Sequence, residues 1–429
     1  MAIMDPSDAR RVPAARLRPD PNGRPGRGAS ITTDGLRASF LRLAERFDPA
    51  EARGLDASFV IEIADLGATT MRVRDGRCLV SPGAADRPTA TLQSSSRTWL
   101  DLVEGRHDGI AAFLTGGLAI HGDLNLAARF ETLFTPGPAS TRVMRTVETQ
   151  VNGVRFESFV SGSGPPVVLI HGLGASKVSF LPTLDGLCAG FEVHAVDLPG
   201  FGKSSKPLPV GPRYSMAWFG DLVHGYLEAN HLDAAYLVGN SMGGRIGIEV
   251  ALRHPGSVRG IVGLGSAVAL EEYRRVAPLL RLSRPQWLGL MPVPIPRGVV
   301  ESLVRDLFHD PSVFPDASHV AAADDVVAAL RDPAHRMALL ACARQIGVER
   351  SRGRRAYWAR LERLETPSYW IFGEHDRLVS ARYAAEVERV LPDATVERWD
   401  GVAHIPHFEA PQRTCEAITA WIAEVAADH

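Results

Sequence analysis

Apolar and polar positions along residues 29–135 change between helical and alternating spacing, which is typical of a small mixed domain. An amphipathic helix is predicted around Leu36–Leu43, followed by short strand-like runs with turn residues between them. Strands are predicted at 59–63, 69–73, 77–80, 90–93 and 118–122, and further helices at 96–102, 108–113 and 124–133. We therefore predict a compact α+β domain over residues 29–135.

The pattern changes after a Pro- and Gly-containing linker predicted at residues 136–144. Residues 145–429 begin with a predicted hairpin around Asn152-Gly153, and apolar strands then alternate with helices. These strands are predicted at 167–170, 192–196, 235–238, 260–263 and 368–372. Because such runs are typical of strands buried on both faces, we predict an α/β fold with a mostly parallel sheet. A helical, Arg- and Pro-rich insertion interrupts it at about 269–362.

Composition excludes several classes of protein. The chain has 47 Lys+Arg and 49 Asp+Glu, a net charge of −2, which argues against a whole-protein nucleic-acid binder. Its four cysteines lie far apart and form no C-x-x-C pair, so we expect reduced thiols in a cytoplasmic protein. No apolar run approaches the ~18 residues of a membrane helix, so no integral membrane segment is expected. Residues 1–28 are rich in Arg, Pro and Gly and are predicted to be a disordered tail.

The strongest chemical signal is a G-x-S-x-G sequence at 239–243. It follows a predicted apolar strand directly and precedes a helical pattern, which is the context of a nucleophile elbow. Glycines on both sides permit a sharp turn that exposes the Ser241 hydroxyl above the strand end. We therefore interpret Ser241 as a candidate nucleophile.

A serine nucleophile needs a base and an orienting acid, and in this type of fold the chain order is Ser, Asp or Glu, His. Asp376 follows the predicted strand 368–372, and His404 follows a further helix and strand. Both therefore belong at the carboxyl edge of the sheet, and we assign Asp376 as acid and His404 as base. Glu374 competes as the acid, and His375 and His407 compete as the base. His404 and His407 have a spacing found in metal sites, but no carboxylate accompanies them, so we expect no metal and no cofactor.

The oxyanion of an acyl-transfer reaction needs two backbone N–H donors. One is expected from Met242, directly after Ser241, and the other from Leu173 in the Gly-rich loop 171–174. A substrate pocket is expected from residues of three segments. They are His171, Trp287, Leu288, Met291 and His407.

Several of these motifs together resemble the α/β-hydrolase superfamily from about residue 145 to the end. The matching segments are HGLG at 171–174, DLPGFGKS at 197–204, GNSMGG at 239–244, GEHD at 373–376 and AHIPHFEAP at 403–411. The resemblance implies an α/β-hydrolase fold with the insertion as its cap. GNSMGG also resembles the elbow of C–C bond hydrolases, which carry a Trp directly after the catalytic His where this chain has Ile405.

The N-terminal domain resembles the sterol carrier protein-2 (SCP2) lipid-binding family. The matching segments are ATL at 90–92, LVEG at 102–105 and FLTGGLAIHGD at 113–123. The resemblance implies an apolar tunnel for acyl chains or sterols, and a docking or dimerisation module is the alternative.

These observations predict a serine hydrolase that cleaves carboxylic esters of an apolar acyl chain or lipid through Ser241, His404 and Asp376. The expected partner is a small apolar ester or lipid, with homo-oligomerisation possible and no nucleic acid. C–C bond hydrolysis or thioester hydrolysis by the same triad remains an alternative. A lipid carrier that uses the hydrolase module as a scaffold is another.

Overall fold

The computed structural model describes residues 31–137, 144–266, 285–291, 295–348, 353 and 356–427. The predicted tail at 1–28 and most of the predicted linker lie outside these residues. The described residues contain a five-stranded sheet and an eight-stranded sheet. In this part of the chain no helix is both long enough and apolar enough to cross a bilayer.

The smaller sheet has the strand order β3-β2-β1-β4-β5, with β1 and β4 parallel and the other pairs antiparallel. Its strands are β1 (Ala57–Ile63), β2 (Gly67–Arg74), β3 (Arg77–Pro82), β4 (Ala90–Ser94) and β5 (Leu118–Gly122). Its helices are α1 (Thr33–Glu45), α2 (Ser96–Glu104), α3 (Gly109–Leu114) and α4 (Leu124–Arg129). The α+β region over the N-terminal part of the chain is confirmed, because each predicted strand is present.

The last predicted helix of this domain, 124–133, is corrected by the structure. It ends at Arg129 and is followed by a short 3-10 helix, Glu131–Leu133. The amides of Leu133 and Phe134 bond three residues back, to Phe130 and Glu131. The Arg129 carbonyl, which a continuing α-helix would pair with the Leu133 amide, instead accepts from the Thr132 hydroxyl at 2.9 Å.

The larger sheet has the order β13-β12-β11-β10-β8-β9-β7-β6, and only the pairs that involve β7 are antiparallel. Its strands are β6 (Met144–Val151), β7 (Val154–Ser161), β8 (Pro166–Ile170), β9 (Glu192–Asp197), β10 (Ala235–Asn240), β11 (Val258–Leu264), β12 (Ser368–Gly373) and β13 (Thr395–Trp399). The hairpin turn is confirmed, with positive φ at Asn152 and Gly153. The mostly parallel α/β sheet is therefore confirmed.

Helices cover both faces of this sheet and lie at its carboxyl edge. They are α5 (Leu181–Leu187), α6 (Met216–Ala229), α7 (Met242–Arg253), α12 (Tyr383–Val390), α13 (Pro406–Glu409) and α14 (Pro411–Ala427). The cap between β11 and β12 contains α8 (Arg297–Arg305), α9 (Asp316–Arg331), α10 (Pro333–Val348), α11 (Tyr357–Leu361) and 3-10 helices at Pro285–Leu290 and Pro311–Val313. Parts of the predicted insertion 269–362 lie outside the described residues.

The N-terminal domain packs directly against the hydrolase-type domain. A single cluster of buried apolar side chains includes Leu124 and Phe130 on one side and Leu181 and Leu184 of α5 on the other. Helix α9 of the cap packs against β5. The two domains therefore share part of their core.

Candidate functional site

The candidate nucleophile sits in a strained turn between β10 and α7. Ser241 has φ 52° and ψ −115°, outside the regions that ordinary side chains prefer. The turn requires glycine at Gly243, because a Cβ there would lie 1.9 Å from the carbonyl oxygen of Ile170. The Ser241 amide donates to the Leu264 carbonyl at 3.0 Å, which holds the turn onto the end of β11. The hydrogen bond to β11 therefore stabilises the strained backbone conformation of Ser241.

The acid and the base are brought together at the same edge. His404 Nδ1 lies 2.8 Å from Asp376 Oδ2, and both side chains are buried. Asp376 Oδ1 accepts hydrogen bonds from the amides of Leu378 and Val379 at 2.7 and 2.8 Å, which fix the carboxylate. The rival acid Glu374 is exposed. Asp376 is thus the carboxylate that contacts His404.

Asn240, which the sequence analysis did not single out, connects the Ser241 turn to the loop that carries His404, called here the histidine loop. Its Nδ2 donates to the carbonyls of Leu264 and His404, each at 2.9 Å. Among the described residues, His404 bonds to Asp376 but makes no hydrogen bond to the Ser241 hydroxyl. Such contacts often tighten only in the substrate complex. The signal in the sequence was a polar residue at the end of an otherwise apolar strand.

Glu409 was also missed as a site residue, and it joins the histidine loop to the cap. Its Oε2 accepts from the Ala403 amide at 2.8 Å, and its Oε1 accepts from the His309 amide at 2.5 Å. The His404 amide in turn donates to the Leu307 carbonyl at 3.0 Å. The position of His404 therefore depends on both the core domain and the cap.

The loop expected to supply an oxyanion donor lies beside the elbow. A Cβ built on Gly172 would lie 3.3 Å from Ser241 Cβ, so Leu173 follows directly after this close approach. Met242 is buried at the first position of α7, where backbone N–H groups have no partner within the helix. The cap covers this loop, because a Cβ built on Gly174 would lie 3.4 Å from Leu339 Cδ1 of α10.

His171, predicted to line the pocket, makes backbone contacts. Its Nε2 accepts from the Leu198 amide at 3.0 Å, which leaves the proton on Nδ1, 2.8 Å from the Gly172 carbonyl. Burial lowers the pKa of His171 and favours this neutral form. The ring thereby fastens the start of the Gly-rich loop 171–174 to the loop after β9.

The three predicted pocket residues of the cap belong to one short segment. Trp287, Leu288 and Met291 lie on or just after the 3-10 helix Pro285–Leu290, whose main packing partner is α10. Trp287 is 37% and Met291 54% exposed. A role in the pocket remains a prediction for these three residues.

His407 is fully enclosed near the histidine loop. Its ring stacks on Phe180 at 4.3 Å, and neither ring nitrogen has a hydrogen-bond partner among the residues that the structure describes. Burial, with a smaller effect of His404, lowers the pKa of His407 to about 3. The rival base His375 is half exposed and bonds to Asp400 at 3.0 Å. In the described ranges no group of three or more His, Cys, Asp or Glu is arranged to hold a metal ion.

A cavity of about 690 Å3 opens where the N-terminal domain meets α5. Its apolar wall comes from both domains. The wall includes Leu43, Leu92, Trp99, Phe113, Ile120, Leu124, Ala127, Phe130, Leu181, Leu184 and Cys188. Glu131 also lines it, and its Oε1 accepts from the Gly109 amide at 2.9 Å. This volume lies within the range of pockets that enclose a small organic ligand.

Two parts of the chain match known families. Residues 165–411, more than half of the chain, match the alpha/beta hydrolase fold family. The chain belongs to the alpha/beta hydrolase fold family. Residues 40–135 match the SCP-2 sterol transfer family, so the hydrolase domain is preceded by an SCP2-like region.

The relatives that this hydrolase-fold protein resembles have different activities. It is 32% identical over 143 residues to a probable 1-acylglycerol-3-phosphate O-acyltransferase of Oryza sativa subsp. japonica, which covers 33% of this chain and 34% of that protein. It is 28% identical over 269 residues to the magnesium-chelatase 30 kDa subunit of Rhodobacter capsulatus, covering 60% and 87%. It is 36% identical over 118 residues to 2-hydroxymuconate semialdehyde hydrolase of Pseudomonas sp. (strain CF600), covering 27% and 41%. The chain thus spans about a third of the length of the first relative and well under half of the third.

Solved structures show the same fold. A membrane phospholipase A, a bacterial virulence factor, superimposes with a TM-score of 0.54 at 24% identity and covers 66% of this chain and 87% of its own. The serine hydrolase CarC, involved in carbazole degradation, gives 0.52 at 23% identity and covers 66% and 99%. At these identities the likeness shows the fold, and the family match supports hydrolase activity in general.

Proposed function

We propose that the protein is a serine hydrolase that cleaves carboxylic esters of an apolar acyl chain. The observation that carries the proposal is the strained Ser241 turn at the same sheet edge as the bonded pair His404 and Asp376. A scaffold protein gains nothing from holding a serine in a strained conformation beside such a pair, whereas acyl transfer needs all three groups.

The proposed reaction has two steps. Ser241 Oγ attacks the ester carbonyl carbon while His404 Nε2 takes the hydroxyl proton, and the N–H groups of Leu173 and Met242 bind the oxyanion. The tetrahedral intermediate then releases the alcohol, which receives the proton from His404. Water attacks the acyl-enzyme in the same way, with His404 as base, and releases the carboxylic acid and Ser241. Asp376 orients His404 and stabilises its charged form.

The proposal of an apolar substrate rests on the N-terminal region. The SCP2-like match and the largely apolar cavity beside α5 support binding of a lipid-like molecule there. We propose that this cavity holds an acyl chain or sterol, as substrate, product or effector of the hydrolase. A cytoplasmic location and self-association remain predictions.

The test is a panel of esters with increasing acyl chain length, a sterol ester and a thioester, measured with the full chain. Ser241→Ala and His404→Ala should each lower kcat by about 10⁴-fold or more, because the members of such a triad act as a unit. His375→Ala is the matched control, since His375 is a histidine at the same sheet edge that bonds to Asp400 instead. Ester turnover by Ser241→Ala within about tenfold of wild type would contradict the proposal.

A second candidate is C–C bond hydrolysis on the same triad. It is favoured by the 36% identity to 2-hydroxymuconate semialdehyde hydrolase over 118 residues. A vinylogous diketone substrate in the same panel separates the two activities. Turnover of that substrate at a kcat/KM about a hundredfold above every ester would favour the C–C bond hydrolase.

A further inference from the structure

A buried amide side chain of the N-terminal domain reaches the loop that follows the oxyanion segment. Asn125 lies in the first turn of α4 and is buried. Its Nδ2 donates to Ser176 Oγ at 3.2 Å, and its Oδ1 accepts from Lys177 Nζ at 3.2 Å. Ser176 and Lys177 come just after the Gly-rich loop 171–174. One side chain of one domain thus contacts two consecutive residues of the other.

Lys177 in turn holds this loop to the end of β9. Its Nζ lies 2.6 Å from Asp197 Oδ2 and 2.9 Å from Glu157 Oε1, and its amide donates to Asp197 Oδ1 at 2.7 Å. Next to Asp197, the Leu198 amide bonds to His171 at the start of the same loop. Residues 171–177 are therefore fastened at both ends to residues 197–198.

The same asparagine also reaches the cap. Asn125 Nδ2 lies 3.4 Å from both carboxylate oxygens of Asp325 in α9. Two residues before Asn125, the side chain of Asp123 forms an ion pair with Lys203 in the loop after β9. Leu124, Ala127 and Ala128 of the same helix line the interdomain cavity. Helix α4 thus contributes both to the cavity wall and to the polar contacts with Ser176 and Lys177.

We propose that Asn125 is a positioning residue through which the N-terminal domain fixes the oxyanion loop. The inference rests on the proposed acyl-transfer function. Without the Asn125 amide, the Lys177 ammonium loses one of its three oxygen partners, and Ser176 and Asp325 lose a buried donor. An unpartnered buried polar group is unfavourable, so the loop is expected to relax towards new partners and to displace the Leu173 N–H. Because the donor acts on charge that develops only in the transition state, the expected loss is in kcat and not in KM.

The test compares Asn125→Ala with wild type in the full-length protein, using a short-chain p-nitrophenyl ester. Removal of a whole oxyanion donor costs ~10²–10³-fold in kcat, so displacement of one should lower kcat about tenfold with KM within about twofold. The affinity for a trifluoromethyl ketone, which forms a tetrahedral adduct, should fall by about the same factor. The number of sites labelled by a fluorophosphonate should stay near one per chain, because Ser241 itself is intact.

Gln93→Ala is the matched control, because Gln93 makes a comparable polar contact within the N-terminal domain, donating to Glu62 at 2.7 Å. It should leave all four readouts unchanged. If Asn125→Ala does not fold, Asn125→Ser keeps one small polar group and should lower kcat and ketone affinity together by about threefold or more.

A merely structural role would give a different result. It would reduce the number of labelled sites and leave the ketone affinity of the remaining sites unchanged, and that outcome overturns the inference. Unchanged kcat in a folded Asn125→Ala protein also overturns it while leaving ester hydrolysis by Ser241 standing. Absence of ester turnover and of labelling in the wild type overturns both.

Discussion

Replacing Lys177 by Met removes the fully buried positive charge that lies between Asp197 and Glu157, behind the Gly-rich loop 171–174. Lys177 and Asp197 are fully buried and Glu157 nearly so. Burial lowers the pKa of Lys177, but Asp197 and Glu157 outweigh it, and the pKa is raised. Burial likewise raises the pKa of Asp197, but Lys177 outweighs it, and the pKa lies below its usual range. The charged state of each group therefore depends on its partner.

The expected loss of stability is large. Removing one member of a buried ion pair costs ~3–5 kcal/mol, because the remaining charge stays buried without compensation. Methionine fills similar space, so little of this cost comes from a cavity. For a domain of this size, 1 kcal/mol corresponds to a change in Tm of ~2–4 °C, and we therefore expect Tm to fall by roughly 6–20 °C.

Thermal unfolding followed by circular dichroism measures this change at pH 7 and again near pH 3, below the usual pKa of Asp197. The matched control is Arg253→Met, which breaks an exposed pair with Asp221 and should cost under about 1 kcal/mol. A carboxylate with a lowered pKa in the folded state, as in Asp197, stabilises the fold at pH values above its unfolded pKa. This stabilisation is lost as pH falls through the folded pKa. The difference between Lys177→Met and wild type should therefore shrink in acid.

A small effect would refute this reasoning. If Lys177→Met unfolds within about 2 °C of wild type at pH 7, the buried carboxylates do not need Lys177. Equal losses in Lys177→Met and Arg253→Met would lead to the same conclusion.

Two further predictions concern single carboxyl groups. Burial and the nearby Asp123 raise the pKa of Asp325 to about 6, so the free energy of unfolding falls as pH rises from about 4 to 6. Asp325→Asn should therefore raise the free energy of unfolding at pH 8 by up to ~3 kcal/mol, and thermal unfolding should show a higher Tm. Below pH 4 the Tm should be unchanged. Glu409→Gln replaces a carboxylate that accepts the Ala403 and His309 amides, and steady-state kinetics should show kcat about tenfold lower with KM nearly unchanged, whereas a parallel loss of folded protein would speak against a positioning role.

Local patterns predicted the fold because they coincide with it. The strands β8 and β10 are buried on both faces, so each appears in the sequence as a continuous run of mostly apolar residues. Helix α4 was predicted too long because residues 131–133 continue its apolar spacing, and this spacing does not distinguish α-helical from 3-10 winding.

The candidate site was predictable where chain order alone decides which residues meet. Asp376 and His404 each follow a strand, and parallel strands bring their carboxyl ends to one edge. Asn240, Glu409 and Asn125 could not be found in this way, because their roles depend on contacts between segments far apart in the chain. The buried cluster around Lys177 is a similar case, since two carboxylates and an amide from three segments meet only after folding.

The central claim is that Ser241 is the acyl-accepting nucleophile, and trapping the acyl-enzyme tests it most directly. The full-length protein is mixed with a slowly deacylating ester, quenched in acid, digested with trypsin and analysed by tandem mass spectrometry. We expect the acyl mass on Ser241 in peptide 214–245, no modification of Ser215 in the same peptide, and no adduct in Ser241→Ala. An acyl group on another residue, or ester turnover with no covalent adduct under conditions where deacylation is slow, would contradict the account.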